Sequence, residues 1–186
     1  FRVICQELHL DYRLTTLSQL LNEPQYKDAI SRMTFITTTD GNHGRGVSWA
    51  SKLFGAKSYV FMPKGTVPVR AENVRKAGNA HVEITDMLYD DCVRFTARMA
   101  KENGWHLIQD TSWPDYEQIP SWIMLGYTTM VYEALSQMKS LGYDRPTHVF
   151  LQAGVGSMAG AVTAALKATY PDDMPVVACV EPTEVA

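Results

Sequence analysis

The sequence predicts an α/β protein whose two lobes are each built on a parallel sheet covered by helices. Strand-like runs alternate with helical segments from residue 33 to residue 109. This alternation breaks at residues 111–120, which contain two prolines, and a second strand–turn–helix–strand series follows from residue 147. Because a strand–helix–strand connection is almost always right-handed, each series forms a parallel sheet with helices packed on it.

The first lobe is predicted from four apolar, β-rich runs and the helical segments between them. Each of the three helical segments ends on a glycine, which is typical of a helix C-terminus. Thr66 is the expected N-cap of the second helix, with Pro68 in its first turn. The four strands are predicted at residues 33–38, 57–62, 80–85 and 105–109.

The second lobe follows the proline-containing crossing segment. We predict a long helix at 121–141, a strand at 147–152, a helix at 158–170 and a strand at 176–180. Residues 1–10 show helical spacing, and residues 11–31 are predicted as a short helix plus a loop at the periphery. The predicted domains are an N-terminal helical segment of the larger lobe (1–32), the smaller lobe (33–113) and the beginning of the larger lobe (114–186).

Composition and charge limit the kinds of ligand and cellular setting that we expect. With 186 residues, a formal net charge of -3 and 46% hydrophobic residues, the chain gives no sign of a nucleic-acid partner and favours a small-molecule ligand. No apolar run is long enough for a membrane span, so we expect no membrane. The three cysteines are far apart in the sequence, which predicts neither a metal site nor a disulfide framework. We expect a reducing, cytoplasmic setting.

The two ends of the sequence suggest a piece of a longer protein. The chain begins FRVICQELHL, without an initiator Met, and ends just after a predicted strand. We therefore expect an internal fragment, in which the two-lobed fold is incomplete.

The glycine-bearing turn in LQAGVGSMAG, residues 151–160, is a candidate anion site. It joins a predicted strand to a helix N-terminus, where backbone N–H groups converge and glycines leave room for a phosphate. Two other interpretations remain open at this point. The turn could serve packing alone, or Gly154-x-Gly156-x-x-Ala159 with Glu181 after the next strand could bind a dinucleotide such as NAD.

Two polar stretches follow strands of the first lobe. TTTDGNHGRG, residues 37–46, crowds Asp40 and Asn42 among glycines, and QDTS, residues 109–112, contains Asp110. Since the carboxyl ends of parallel strands carry active sites, both aspartates are catalytic candidates at the same edge of the sheet. The structural alternatives are a helix N-cap for Asp40 and a loop cap for Asp110.

Several of these motifs together resemble a known family. A strand ending in Thr-x-Gly-Asn-His-Gly, with a glycine-rich loop far downstream, is similar to pyridoxal-phosphate enzymes of the tryptophan synthase β-subunit type, also called fold type II. Within that family, TTTDGNHGRGVSWA, FMPKG, ITDMLYDD, QDTSWPDYEQIPSWIMLGY and LQAGVGSMAGAV resemble the branch that eliminates ammonia from 2,3-diaminopropionate. The resemblance covers about residues 33–186.

The resemblance implies roles for particular residues. Asn42 would donate to the phenolic oxygen of pyridoxal 5'-phosphate, whose phosphate would lie among Gly154, Val155, Gly156, Ser157 and Met158. Asp40 stands where the family's dehydratases have serine, so it would be the general base for one substrate enantiomer. Asp110 would attract the β-ammonium group or relay its proton.

The resemblance also implies the reaction and the assembly. The parent enzyme would carry out α,β-elimination of 2,3-diaminopropionate to pyruvate and ammonia, and would be a homodimer. The lysine that binds the cofactor covalently would precede Phe1, so the chain by itself is expected to be inactive. The alternatives are a serine or threonine dehydratase-like enzyme, the NAD enzyme mentioned above, or a chain that only binds phosphate or a partner subunit.

Overall fold

The computed structural model describes residues 1–183, which fall into two compact units, residues 1–109 and a second unit beginning at Asp110. The last three residues of the predicted segment 114–186 lie outside the described residues. Each unit has its own parallel sheet, four-stranded in the first and two-stranded in the second. The predicted α/β class with two parallel sheets is confirmed.

The first 32 residues form three short helices, α1 (Arg2–Glu7), α2 (Leu17–Asn22) and α3 (Pro24–Ser31). Thr16 starts α2 with a capping box, in which its hydroxyl accepts from the Gln19 backbone N–H at 3.2 Å and Gln19 Oε1 accepts from the Thr16 N–H at 2.7 Å. Pro24 occupies the first turn of α3, where no backbone N–H is required. The prediction of one helix and a loop over residues 11–31 was therefore wrong, since two helices form there.

These helices contribute to the core of the first unit. Leu20 and Ile30 are fully buried and belong to the same apolar cluster as Phe35 and Phe54. Their expected peripheral position was wrong, because their apolar faces pack against the sheet and its covering helix. The division into units groups residues 1–32 with the first sheet, while their predicted membership of a larger lobe in the complete fold stays a prediction.

The first sheet has the strand order β3-β2-β1-β4, and all pairs are parallel. Of its two inner strands, β1 is buried along its whole length. The strands are β1 (Thr34–Thr38), β2 (Lys57–Met62), β3 (His81–Ile84) and β4 (His106–Leu107). The four predicted strands are confirmed, although β4 is shorter than predicted because the Thr38 N–H donates to the Gln109 side chain instead of to a main-chain carbonyl.

Three helices connect these strands: α4 (Asn42–Phe54), α5 (Pro68–Ala77) and α6 (Tyr89–Asn103). The glycine after α5, Gly78, is required by packing, because a Cβ there would lie 2.1 Å from the Ser48 carbonyl oxygen. The predicted cap at Thr66 was wrong. Val67 is the N-cap of α5 without a side-chain bond, and the Thr66 hydroxyl is buried without a partner among the described residues.

The second unit contains α7 (Gln118–Ser140), β5 (His148–Leu151), α8 (Ser157–Thr169) and β6 (Val176–Cys179). The two strands pair in parallel, and α7 and α8 share an apolar cluster that includes Val131, Leu151 and Leu166. Helix α7 begins earlier than predicted, because Pro120 fits the first turn, where no intrahelical bond is lost.

None of the helices within residues 1–183 combines the length and the apolar character that crossing a bilayer would require.

Candidate functional site

The loop between β1 and α4 carries the predicted site residue Asp40, and Asn42 is the first residue of α4. The turn of this loop is closed by Thr39, whose Oγ1 accepts from the Gly41 N–H at 3.0 Å and from the Gly44 N–H at 3.2 Å. Gly44 can approach this closely only without a side chain, since a Cβ would lie 2.3 Å from Thr39 Cγ2. The buried Thr39 thus satisfies amides at the start of α4.

Asp40 on this loop and Asn42 at the start of α4 are both exposed. The N-cap of α4 is Gly41, and it makes no side-chain capping bond, so the interpretation of Asp40 as a capping residue was wrong. Within residues 1–183, neither the Asp40 carboxylate nor the Asn42 side-chain amide has a hydrogen-bonding or ionic partner. Both groups are therefore available to a ligand.

The neighbouring strand ends are tied to this loop by side chains. His43 Nε2 lies 2.7 Å from the Ile108 carbonyl oxygen. The fully buried Gln109 accepts at Oε1 from the Thr38 N–H (3.0 Å) and the Thr37 hydroxyl (3.2 Å). Its Nε2 donates to the Tyr89 hydroxyl at 3.2 Å. These bonds fix the carboxyl end of β1 against the chain that follows β4.

In the second unit, the turn between β5 and α8 has the geometry of an anion site. Gly156 is the N-cap of α8 with φ +86°, a left-handed conformation that glycine adopts without strain, and no side chain caps the helix. Among the described residues, no acceptor is bonded to the backbone N–H groups of residues 154–159. A Cβ on Gly154 or Gly156 would meet nothing within 4 Å, so the turn is open.

Asp110 and Ser157 are brought together in the second unit. The Ser157 hydroxyl donates to the Asp110 backbone carbonyl at 2.5 Å, which joins the start of α8 to the segment that precedes α7. Burial raises the pKa of Tyr127 on α7, and the nearby negative charge of Asp110 raises it further. Because the Ser157 hydroxyl donates its single proton to the Asp110 carbonyl, the backbone N–H groups are the donors that the turn can offer to a ligand.

The predicted site residues are thus distributed over both units. Asp40 and Asn42 belong to the first unit, and Asp110 belongs to the second together with Gly154, Val155, Gly156, Ser157 and Met158. No group of three or more His, Cys, Asp or Glu side chains that could hold a metal ion occurs in the described part of the chain. The cap interpretation of Asp110 stays a prediction.

Thr39 and Gln109 were missed by the sequence analysis, although both shape the site. Each acts through partners that local sequence does not identify. The run of threonines before Asp40 was a usable signal for Thr39, because threonine hydroxyls accept from nearby backbone N–H groups. Gln109 bonds to residues more than 70 positions away, so no local pattern could have revealed its role.

The donors of the β5–α8 turn fit pyridoxal 5'-phosphate. Open glycines and unbonded N–H groups at the N-terminus of a 13-residue helix suit a phosphate dianion. In the first unit, considered by itself, the Asn42 side-chain amide has no partner among the described residues and is a donor that suits a phenolic oxygen. Parallel α/β units that carry such groups at strand ends are typical of the class of α/β proteins that bind a phosphorylated ligand.

The chain belongs to the pyridoxal-phosphate-dependent enzyme family, whose model matches residues 14–186. Diaminopropionate ammonia-lyase of Salmonella typhimurium is 49% identical over 162 residues, which are 87% of this chain and 40% of that protein. The crystal structure of holo diaminopropionate ammonia-lyase from Escherichia coli superposes with a TM-score of 0.88 at 42% identity, covering 99% of this chain and 45% of that one. The resemblance and the fold type predicted from the motifs are confirmed.

More distant relatives have another activity. The biosynthetic L-threonine dehydratase of Burkholderia multivorans is 28% identical over 148 residues, covering 78% of this chain and 27% of that protein. The chain spans less than half the length of each of these relatives.

Proposed function

We propose that the complete protein catalyses pyridoxal-phosphate-dependent α,β-elimination of 2,3-diaminopropionate to pyruvate and ammonia. The 49% identity to a diaminopropionate ammonia-lyase is the observation that carries the proposal. The exposed carboxylate of Asp40, directly before the Gly41–Asn42 pair, supports it from the site itself. The identity to the threonine dehydratase is much lower, at 28%, which favours the diamine over serine or threonine as substrate.

Some residues of this chain would bind the cofactor, and another would transfer a proton. Backbone N–H groups of residues 154–159 would bind the cofactor phosphate, and the Asn42 amide would donate to the phenolic oxygen. When bound, pyridoxal phosphate supplies an electron sink for the charge that develops at the substrate Cα. Asp40 would accept the Cα proton of one enantiomer, since its carboxylate has no competing partner among the described residues.

Asp110 is proposed to act on the leaving amine. The substrate carries a β-ammonium group that serine and threonine lack, and a carboxylate attracts that charge. The hydrogen bond from Ser157 to its carbonyl fixes the backbone of Asp110 beside the turn that would hold the phosphate. A carboxylate held there would favour the diamine over hydroxy amino acids.

The test is a substrate panel with the complete protein. Both enantiomers of 2,3-diaminopropionate, serine and threonine are incubated with cofactor-loaded protein, and 2-keto acid formation is measured. Keto acid from the diamine in preference to the hydroxy amino acids is the expected result. Activity on serine or threonine alone would transfer the assignment to the dehydratases, and retention of NAD without pyridoxal phosphate would favour the dinucleotide interpretation.

We further propose that the protein is a cytoplasmic homodimer that takes part in amino-acid catabolism and binds neither nucleic acid nor membranes. Three free cysteines, two of them buried, are compatible with a reducing compartment. Apolar side chains on α7, such as Leu125 and Tyr132, are about half exposed in this chain, as is typical of a surface that further protein covers. Light scattering of the complete protein tests the dimer, for which a monomeric mass is the contrary result.

A further inference from the structure

Arg70 contacts the loop before α4 at Asp40 and Gly41. It lies in the first turn of α5, and its Nη1 donates to the Asp40 backbone carbonyl at 3.0 Å. Its Cδ lies 3.8 Å from the position that a Cβ on Gly41 would occupy. The side chain therefore packs along the backbone between the two predicted site residues.

Arg70 differs from the other basic residues of its helix. Arg75 and Lys76 on α5 both lie within 4.0 Å of a carboxylate oxygen of Glu72. No carboxylate of residues 1–183 lies that close to the Arg70 guanidinium, so an ion pair does not account for its position. Its bond to the Asp40 carbonyl joins α5 to the β1–α4 loop.

This contact differs from the other hydrogen bonds of the loop in the residue that it holds. The bonds that the Thr39 hydroxyl accepts are internal to the loop and to the first turn of α4, so they set its local shape. The Thr39 N–H donates to the Phe61 carbonyl at 3.1 Å, which fixes the residue before Asp40 to β2. The Arg70 bond comes from a separate helix and lies at Asp40 itself. A proton acceptor displaced by about 1 Å can lose on the order of a hundredfold in rate, so a bond that fixes the Asp40 backbone would act on catalysis through the position of the Asp40 carboxylate.

We infer that Arg70 is a positioning residue of the elimination reaction, which holds the backbone at Asp40 so that the Asp40 carboxylate and the Asn42 amide keep their orientation. The inference rests on the proposed function for its catalytic consequence. The contact itself belongs to this structure and can be tested without turnover.

The test uses the complete protein with Arg70→Ala, Arg70→Lys and, as a control that removes a charge from the same helix, Lys76→Ala. Hydrogen exchange of the amides of residues 40–44 is measured without cofactor, and kcat and KM are measured with both enantiomers of the diamine. Arg70→Ala should exchange about three- to tenfold faster in this loop, as expected for the loss of one net hydrogen bond. Its kcat should fall about tenfold while KM changes by less than about twofold.

The lysine variant separates positioning from general structural damage. Its ammonium can still donate to the Asp40 carbonyl, so it should recover kcat to within about threefold of the unchanged protein. Lys76→Ala should behave as the unchanged protein in both measurements. Unchanged exchange in Arg70→Ala, or a lysine variant as impaired as the alanine variant, overturns the inference. A rise in KM with kcat preserved overturns it too, because Arg70 would then bind substrate.

The two proposals fail in different ways. If the unchanged protein forms no pyruvate from the diamine, the proposed function is wrong. The exchange measurement still decides whether Arg70 anchors the loop.

Discussion

Thr39 and Gly44 set the shape of the loop that presents Asp40 and Asn42. The Thr39 hydroxyl accepts two backbone hydrogen bonds, and the missing side chain of Gly44 allows the close approach. The buried position of Thr39 makes these bonds difficult to replace with water. The orientation of the predicted catalytic residue therefore depends on neighbours without chemical reactivity.

Gly44→Ala should destabilise the protein by about 1–3 kcal/mol, because the new methyl group overlaps Thr39 Cγ2 and meets Val60 Cγ1 in a packed region. Gly46→Ala is the matched control on the same helix. No atom lies within 4 Å of its added Cβ, and alanine is favoured over glycine in a helix by roughly 0.5–1 kcal/mol. Urea denaturation checks both variants, and a Gly44→Ala midpoint equal to that of Gly46→Ala would contradict the packing argument.

Asp40→Asn should lower turnover of one enantiomer of 2,3-diaminopropionate by about a hundredfold or more, the usual contribution of a general base. Turnover of the other enantiomer should fall much less, since its Cα proton lies on the opposite face. Steady-state kinetics with the separate enantiomers measure this ratio. Equal losses with both enantiomers would remove the proposed role of Asp40.

The sequence was sufficient to identify Asp40 and Asn42 as site candidates, because polar residues crowded among glycines after a strand are visible locally. The capping interpretation of Asp40 failed because Thr39 provides the hydroxyl that accepts from the helix amides. Gln109 and Arg70 could not be identified, since each acts on a residue at least 30 positions away. Their hydrogen bonds form only when the sheet and its helices have packed, so the local sequence does not reveal them.

Among the elements, the turn between β5 and α8 places its donors through backbone conformation. Gly156 is left-handed with φ +86°, and the helix begins directly after it without a side-chain cap. The helix dipole and the unbonded N–H groups then favour an anion at this end. A side chain at Gly156 would strain the left-handed backbone and would also narrow the space for an anion.

Gly156→Ala should cost about 1–2 kcal/mol from the left-handed backbone and should also weaken binding of pyridoxal phosphate. Gly142→Ala supplies the control, because Gly142 has φ +84° in the turn after α7 and an equally open surrounding. Both variants should lose similar stability in thermal unfolding. Only Gly156→Ala should lose affinity in a titration with the cofactor, and equal affinities would refute the anion site.

The positions of the strands and long helices could be predicted from the sequence because their apolar periodicity is strong. The exceptions have local physical causes. β4 is short because a side chain replaces a ladder bond, and the segment before β1 forms α2 and α3 because a capping box and a proline start two helices close together. Such exceptions depend on single hydrogen bonds, which periodicity does not reveal.

At the scale of the whole molecule, the two units divide the predicted chemistry. The first contains the proposed base and the amide proposed to bind the cofactor, and the second contains the turn proposed to bind its phosphate, together with Asp110. Periodicity predicted two parallel sheets, and the motif resemblance predicted the family to which the chain belongs. The predicted boundary near residue 113 stays a prediction for the complete protein, because contacts within this chain place the division after Gln109.

The ratio of ammonia to pyruvate formed by the complete, cofactor-loaded protein tests the central proposal most directly. Elimination from 2,3-diaminopropionate releases the β-amino group, and hydrolysis of the remaining enamine releases the second nitrogen. Two ammonia molecules are expected for each pyruvate formed from the diamine. Pyruvate formed only from serine, with one ammonia for each pyruvate and none from the diamine, would contradict it.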